Sequence, residues 1–206
     1  MNDATSPLEQ TLRRAVPFDP AAWERTRREL AARATAEDLV DVAFERHDSP
    51  LGPILLGATT EGLVRVGLPS EDEDAVLDEL ARRVSARVLF APRDAVTRAR
   101  RQLDEYFEVQ RRTFDVTLDW RLTVGFRREV LRATAQIPYG QTASYRQVAT
   151  QAGSPAAARA AGTALATNPL PILVPCHRVL RSDGVLGAYR GGPEVKAQLL
   201  GLEGAV

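Results

Sequence analysis

Apolar positions between residues 40 and 68 fall into three short runs, LVDVAFER, GPILLGAT and GLVRVGL, divided by HDSPLG and TTEG. Short runs parted by Gly, Pro, Asp and Ser predict strands joined by tight turns, in an antiparallel meander. SEDEDAVLDELARRV then switches to helical spacing, with Ser70 as the predicted cap and acidic residues in the first turn, where the helix dipole favours them. A further short strand, ARVLF, precedes RDAVTRARRQLDEYFEVQ, whose apolar positions 96, 99, 103, 106 and 107 form one helix face. RRTFDVTLDW reads as an extended connector.

Past the connector the texture is helical: TVGFRREVLRATAQI, stopped by Pro138-Tyr139-Gly140, then SYRQVATQAG, SPAAARAAGTALATN and a closing PEVKAQLLGLEG. Gly153 is placed to end one helix, Ser154 to cap the next and Pro155 to start it, which predicts a minimal turn of the helix-turn-helix type. At the other end, residues 8–34 read as helical with a break at PFDP, after which Asp19 caps and Pro20 opens the first turn.

Composition narrows the class. Of 206 residues, 44% are hydrophobic and 26% charged, as in soluble globular proteins, and the length suits two compact units. No apolar stretch approaches the roughly 20 residues that span a bilayer, and MNDATSPLEQTLRR lacks a signal-peptide pattern. One cysteine forms no internal disulfide, and with two histidines it falls short of a zinc-site spacing, so a reducing, cytoplasmic setting without a metal is expected. Net charge is zero, but residues 1–114 carry 17 positive and 21 negative charges while 115–206 carry 10 and 6. A polyanion would therefore meet the second half.

The single cysteine lies in NPLPILVPCHRVL, residues 168–180. Pro169, Pro171 and Pro175 stiffen its approach, and His177 and Arg178 set polarisable or positive groups beside the sulfur, surroundings that favour the thiolate nucleophile. Consecutive side chains diverge, so His177 is expected to act on Cys176 through a water or by a special local turn, oriented by an acid; Glu203 and Glu194 are the candidates.

Pro175-Cys176-His177-Arg178-Val179, preceded by Asn168-Pro169 and followed by Gly187-Ala188-Tyr189-Arg190-Gly191-Gly192, resembles the methylated-DNA–protein-cysteine methyltransferases, or O6-alkylguanine-DNA alkyltransferases. The resemblance runs from about Thr113 to Glu203 and more loosely back to Val42. Residues 1 to about 38 lie outside the resemblance and read as a helical extension; the resemblance implies an α+β protein, with an N-terminal α/β domain with a small antiparallel, ribonuclease H-like sheet over 39–112 and a helical, winged-helix-like domain with a helix-turn-helix over 113–206. It also implies irreversible, single-turnover transfer of an alkyl group from O6-alkylguanine, or O4-methylthymine, in double-stranded DNA to Cys176, with no cofactor. His177 and Glu203 match the family's water-mediated base and its orienting glutamate, Tyr145 its proton donor to guanine N3, and Lys196 a lysine near the pocket.

Chemistry on a base requires turning the nucleotide out of the stack. Arg159 matches the family's arginine finger, and the small Ala156, Ala160 and Gly162 suit a helix lying close in the minor groove. Asn168, Pro171, Val179, Tyr189 and Arg190 match the pocket: Asn168 bracing the turn, the Val179 carbonyl accepting the guanine amine, the Arg190 N–H facing O6. A monomer is expected, with cooperative binding along DNA left open. Ala188 and Arg190 depart from the Asn or Gly and the small residue of many members, and there is no cysteine for the structural zinc of some relatives. Two readings stay beside this one: a helix-turn-helix regulator with an inert or sensing cysteine, and a multiple-turnover cysteine hydrolase.

Overall fold

Every residue of two adjacent strands is buried, which alternation along the chain does not announce. The computed structural model describes residues 19–205; the expected helical stretch at 8–16 lies outside them. Within the first unit, helix α1 (Pro20–Ala36) starts as expected, the Asp19 side chain accepting the Ala21 N–H at 2.9 Å with Pro20 in the first turn. From Val40 onward the described chain packs as one compact unit.

That unit opens on β1 (Val42–His47), β2 (Ile54–Thr59) and β3 (Gly62–Gly67), an antiparallel meander as the pattern predicted. Helix α2 (Glu73–Arg83) leads to β4 (Val88–Phe90), which pairs with β1 in parallel, so the sheet order is β3-β2-β1-β4 and the sheet is mixed where an antiparallel one was expected. A helical crossover returns a strand to the same end of the sheet, and parallel pairing follows. The cap of α2 also differs: Asp72, not Ser70, accepts the Ala75 N–H at 2.8 Å. Helix α3 (Asp94–Phe107) buries Val96, Ala99, Leu103 and Tyr106 in a cluster with Ile54, Leu56 and Leu63, while Leu80 of α2 joins Val42 and Val64 in a second. Helices on both faces explain why β2 and β3 are buried at every position.

The free edge of β3 is closed by chain from the second half. The expected connector runs beside it, with Leu63 N–H donating to Thr117 O at 2.9 Å and Asp119 N–H to Leu63 O at 2.8 Å, and Val66 N–H donates to Pro169 O at 2.8 Å. This covers an edge that would otherwise pair with another chain and ties the sheet to the segment that carries the cysteine.

Helix α4 (Gly125–Ala135), α5 (Tyr145–Gln151) and α6 (Ala158–Ala166) pack on one another. Ser144 and Gln147 form a capping box at α5, and Gly153, at φ +83°, ends it with Ser154 N–H on Ala149 O and Gly153 N–H on Thr150 O. Ser154 does not cap α6: residues 154–157 form a turn closed by Ala157 N–H on Ser154 O, and the helix begins at Ala158. A 3-10 turn (Cys176–Arg178) runs into β6 (Val179–Leu180), which pairs in parallel with β5 (Ala143–Ser144), and α7 (Gly192–Leu202) closes the fold. One hydrophobic cluster runs from Ile54 and Leu103 to Val148, Ala161, Cys176 and Leu199, through strand-rich and helical parts alike. Among the described residues no helix is long and apolar enough to cross a membrane.

Gly62, at φ +147°, brings β3 against the Thr117 carbonyl, and a Cβ would overlap that backbone oxygen. Gly62→Ala is expected to lower the urea-unfolding free energy by about 2 kcal/mol or more, through both the backbone angle and the displaced connector.

Candidate active site

Short-range geometry presents the cysteine. Pro175, at φ −79° and ψ 63°, is the centre of an inverse γ-turn in which Cys176 N–H donates to Val174 O at 2.8 Å. Just upstream, Val174 N–H bonds Leu170 O at 2.8 Å and Ile172 sits at φ +73°, a strained angle for a β-branched residue. Buried Asn168 holds this turn: its Nδ2 donates to Val174 O at 2.9 Å and to Cys176 Sγ at 3.2 Å, and its Oδ1 accepts Leu170 N–H at 3.0 Å. Asn168 thus braces the loop and also contacts the sulfur. Pro171 is buried in the same turn.

Cys176 is 4% exposed. Burial pushes its pKa up to about 11, against the opposing Asn168 hydrogen bond and Lys196 charge. The expectation that Arg178 and His177 would favour the thiolate is corrected here. The Arg178 guanidinium points away, to Glu203 and the Ile137 carbonyl, and the positive charges acting on the sulfur come from Lys196 and Arg190.

His177 and Glu203 do meet. His177 Nε2 lies 2.9 Å from Glu203 Oε1 with both side chains fully buried. A carboxylate only accepts, so Nε2 carries the proton and Nδ1 is left as the basic nitrogen. Nδ1 is buried and has no hydrogen-bond partner within the described protein. Burial pulls the imidazole pKa below its ordinary value, against the Glu203 bond that raises it, so the ring is neutral and able to take a proton. Burial alone would raise the Glu203 pKa, but hydrogen bonds from His177 and Arg178 prevail and hold it at about 2. Arg178 Nε donates to Oε2 at 2.8 Å and Nη2 to Oε1 at 2.9 Å, and Tyr106 Oη donates to Oε1 at 2.7 Å. The other candidate, Glu194, is exposed in the first turn of α7. Tyr106 was read only as a core position of its helix face. A tyrosine where the packing pattern asks for an apolar residue is the signal that marks it, because a buried phenol needs a partner.

Tyr145 directly follows β5 and opens α5, near enough to Cys176 for the sulfur's charge to act on its phenol. Its hydroxyl lies so close to Gly187 that any side chain there would overlap it. Burial, then the charge on Cys176, raises the Tyr145 pKa, so the phenol stays a donor. Gly162 lies beside the Tyr145 ring, where a Cβ would make an ordinary contact at 3.7 Å. Lys196, the only lysine of the chain, is fully buried, its Nζ on Val179 O at 2.6 Å and Gly187 O at 3.5 Å. It thereby fastens the loop after β6 to the strand and occupies one lone pair of the Val179 carbonyl. Burial lowers its pKa, opposed by the charge on Cys176.

The Tyr189 ring stands edge-on to His177 at 6.3 Å, its buried hydroxyl without a partner in the described protein. Arg190 is anchored to the sheet half: Nη1 donates to Glu71 Oε1 at 2.8 Å, and its carbonyl accepts Ser70 Oγ at 3.2 Å. Arg159 is exposed in the first turn of α6, its guanidinium unpaired among the described residues; Ala160 is exposed beside it, and Ala156 is exposed in the preceding turn. These three form a surface apart from the buried cluster.

Two outcomes follow. Since a thiol at about 11 is mostly protonated near neutrality, DNA-free Cys176 should react slowly with iodoacetamide, accelerating about tenfold per pH unit up to that value; mass spectrometry of this single-cysteine chain reads it directly. Glu203→Gln leaves Arg178 buried and uncompensated, an expected loss of about 3–5 kcal/mol in urea unfolding at neutral pH. Because the Glu203 pKa is depressed from 4.5 to about 2, the stability it adds is complete above the former and should vanish as pH falls toward the latter.

Residues 42–120 match the family described as 6-O-methylguanine DNA methyltransferase, ribonuclease-like domain, and residues 125–205 its DNA binding domain. The inducible methylated-DNA–protein-cysteine methyltransferase of Bacillus subtilis is 37% identical over 148 residues, 72% of this chain and 82% of that protein. The methylated-DNA–protein-cysteine methyltransferase of Methanosarcina acetivorans is 38% identical over 159 residues, 77% of this chain and 96% of that one. The crystal structure of Mycobacterium tuberculosis O6-methylguanine methyltransferase superposes with a TM-score of 0.68 at 36% identity, covering 80% of this chain and 93% of that one, and the structure of the same organism's OGT in complex with DNA gives the same score. With both halves matched and the cysteine seated beside a histidine–glutamate pair, the chain belongs to the 6-O-methylguanine DNA methyltransferase family.

Proposed function

We propose that Cys176 is the acceptor of an alkyl group carried on O6 of guanine in double-stranded DNA, with His177 as its base and Glu203 as the group that orients the base. The protein acts in DNA repair by transferring an alkyl group from DNA to a cysteine. The observation that carries the residue assignment is the fixed tautomer: Glu203 holds the Nε2 proton, leaving Nδ1 as the acceptor next to a protonated thiol. Sγ is bonded to Asn168 and not to His177, so the proton travels from sulfur through a water to Nδ1. An S–C bond forms as the C–O6 bond breaks, and the electron pair passes into the purine, where the Tyr145 hydroxyl donates toward N3. The thioether is stable, so each molecule reacts once.

Arg159, exposed and unpaired on α6, fills the space left by the extruded nucleotide, with Ala156 and Ala160 allowing close approach to the minor groove. Tyr189 and Arg190 wall the pocket on the loop that Lys196 and Glu71 hold in place. A free thiol and a DNA substrate suit a reducing, cytoplasmic setting.

Equimolar protein and duplex bearing O6-methylguanine should lose the lesion and gain one methyl group on Cys176, with no second turnover. Tight binding without an adduct would instead indicate a regulator, and multiple turnovers on a small ester a hydrolase. Arg159→Ala should slow transfer from duplex DNA by about tenfold or more while sparing transfer from the free base; equal rates on both would remove Arg159 from extrusion.

A further inference from the structure

Glu203 Oε1 is shared. It accepts His177 Nε2 at 2.9 Å, Arg178 Nη2 at 2.9 Å and Tyr106 Oη at 2.7 Å, whereas Oε2 accepts Arg178 Nε at 2.8 Å and the Gly140 N–H at 3.4 Å. Arg178 and His177 lie on the cysteine turn, but Tyr106 arrives from α3, the helix that packs on the sheet. Its side chain is fully buried, edge-on to Phe107 and Tyr139 and tilted against Phe114, so the phenol has no freedom to leave Glu203. Burial, then the Glu203 charge, keeps the phenol a proton donor at any working pH.

We propose that Tyr106 is a positioning residue of the relay: by donating to the same carboxylate oxygen as His177, it limits how strongly Glu203 holds the imidazole proton and so sets the pH at which Nδ1 is free to accept the thiol proton. The inference rests on the assignment of His177 as the base. A carboxylate oxygen that already accepts a strong hydrogen bond is a weaker acceptor for the next one. Without the phenol, Oε1 would pull harder on the imidazolium and His177 would hold a proton to higher pH. The other charged or titratable groups around the pair are Arg178 on the turn, Lys196 on α7, Cys176, Tyr189 edge-on to the imidazole, and Tyr139, whose ring lies beneath Arg178 and Arg112. None of these except Arg178 donates to Oε1 in the described protein. Tyr106 is therefore the donor on that oxygen that can be removed without unpairing a buried charge.

Tyr106→Phe in the full chain keeps the ring and deletes the donor. The chain has two histidines, so the His177 imidazole can be resolved and followed in an NMR titration. The variant should raise the His177 midpoint by about half to one pH unit, and shift the acid limb of the rate of Cys176 methylation by the same amount while the plateau stays within about twofold. A fluorinated tyrosine at position 106, a stronger donor of the same shape, should move both midpoints downward. A uniform loss of rate or stability with unchanged midpoints in both variants would overturn the proposal and leave Tyr106 a packing residue. If wild-type protein gains no methyl group from DNA, the assignment of Cys176 fails, while the titration still reads the Tyr106 coupling.

Discussion

A carboxylate buried at the end of a helix is costly twice over: it is removed from water and it lies at the negative end of the helix dipole. Glu203, the C-cap of α7 and 5% exposed, is kept ionised only because Arg178, His177 and Tyr106 all donate to it. Those donors come from the cysteine turn and from the sheet's helix, so satisfying one charge joins three segments. The same charge orients the imidazole, which is how a structural necessity becomes a chemical one. A group that both neutralises an arginine and selects a tautomer admits few replacements.

The sheet half supplies no atom to the thiol, yet it shapes the site from three directions. The β3 edge holds Pro169, just before the cysteine loop; Ser70 and Glu71 hold Arg190 on the far wall; Tyr106 reaches the relay. Glu71 is itself fixed by buried Arg65 and by the Leu68 N–H. The pocket loop is thus fastened to a rigid strand end, which lets a surface loop hold a defined position.

The resting thiol is inert by construction. Burial outweighs the Asn168 hydrogen bond and the nearby Lys196 charge, so the sulfur remains protonated until a proton acceptor and an electrophile are both in place. A permanently ionised cysteine would be open to any alkylating agent, whereas a protonated one is not. A neutral thiol beside a neutral, correctly tautomeric histidine confines the reaction to a docked substrate.

Periodicity and turn chemistry were enough to locate the three-stranded meander, the face of α3, the ends of α5 and the start of α1, because each depends on residues within a few positions of one another. The Cys176-His177 pair with Glu203 was legible from the motif and its family resemblance. Local signals misled where two were in competition: Ser70 and Ser154 looked like caps, but Asp72 took the first role and the second helix began at Ala158. Neighbours in sequence also misled, since Arg178 adjoins the cysteine but serves Glu203, while Lys196, twenty positions away, acts on the sulfur. The parallel pairing of β4, the contact of Asn168 with Sγ, and the Tyr106–Glu203 bond across 97 residues belong to tertiary structure alone. Residue types and short spacings determine which elements form and which groups can react. Which donor reaches which acceptor depends on how those elements pack, and burial then decides the charge each group carries.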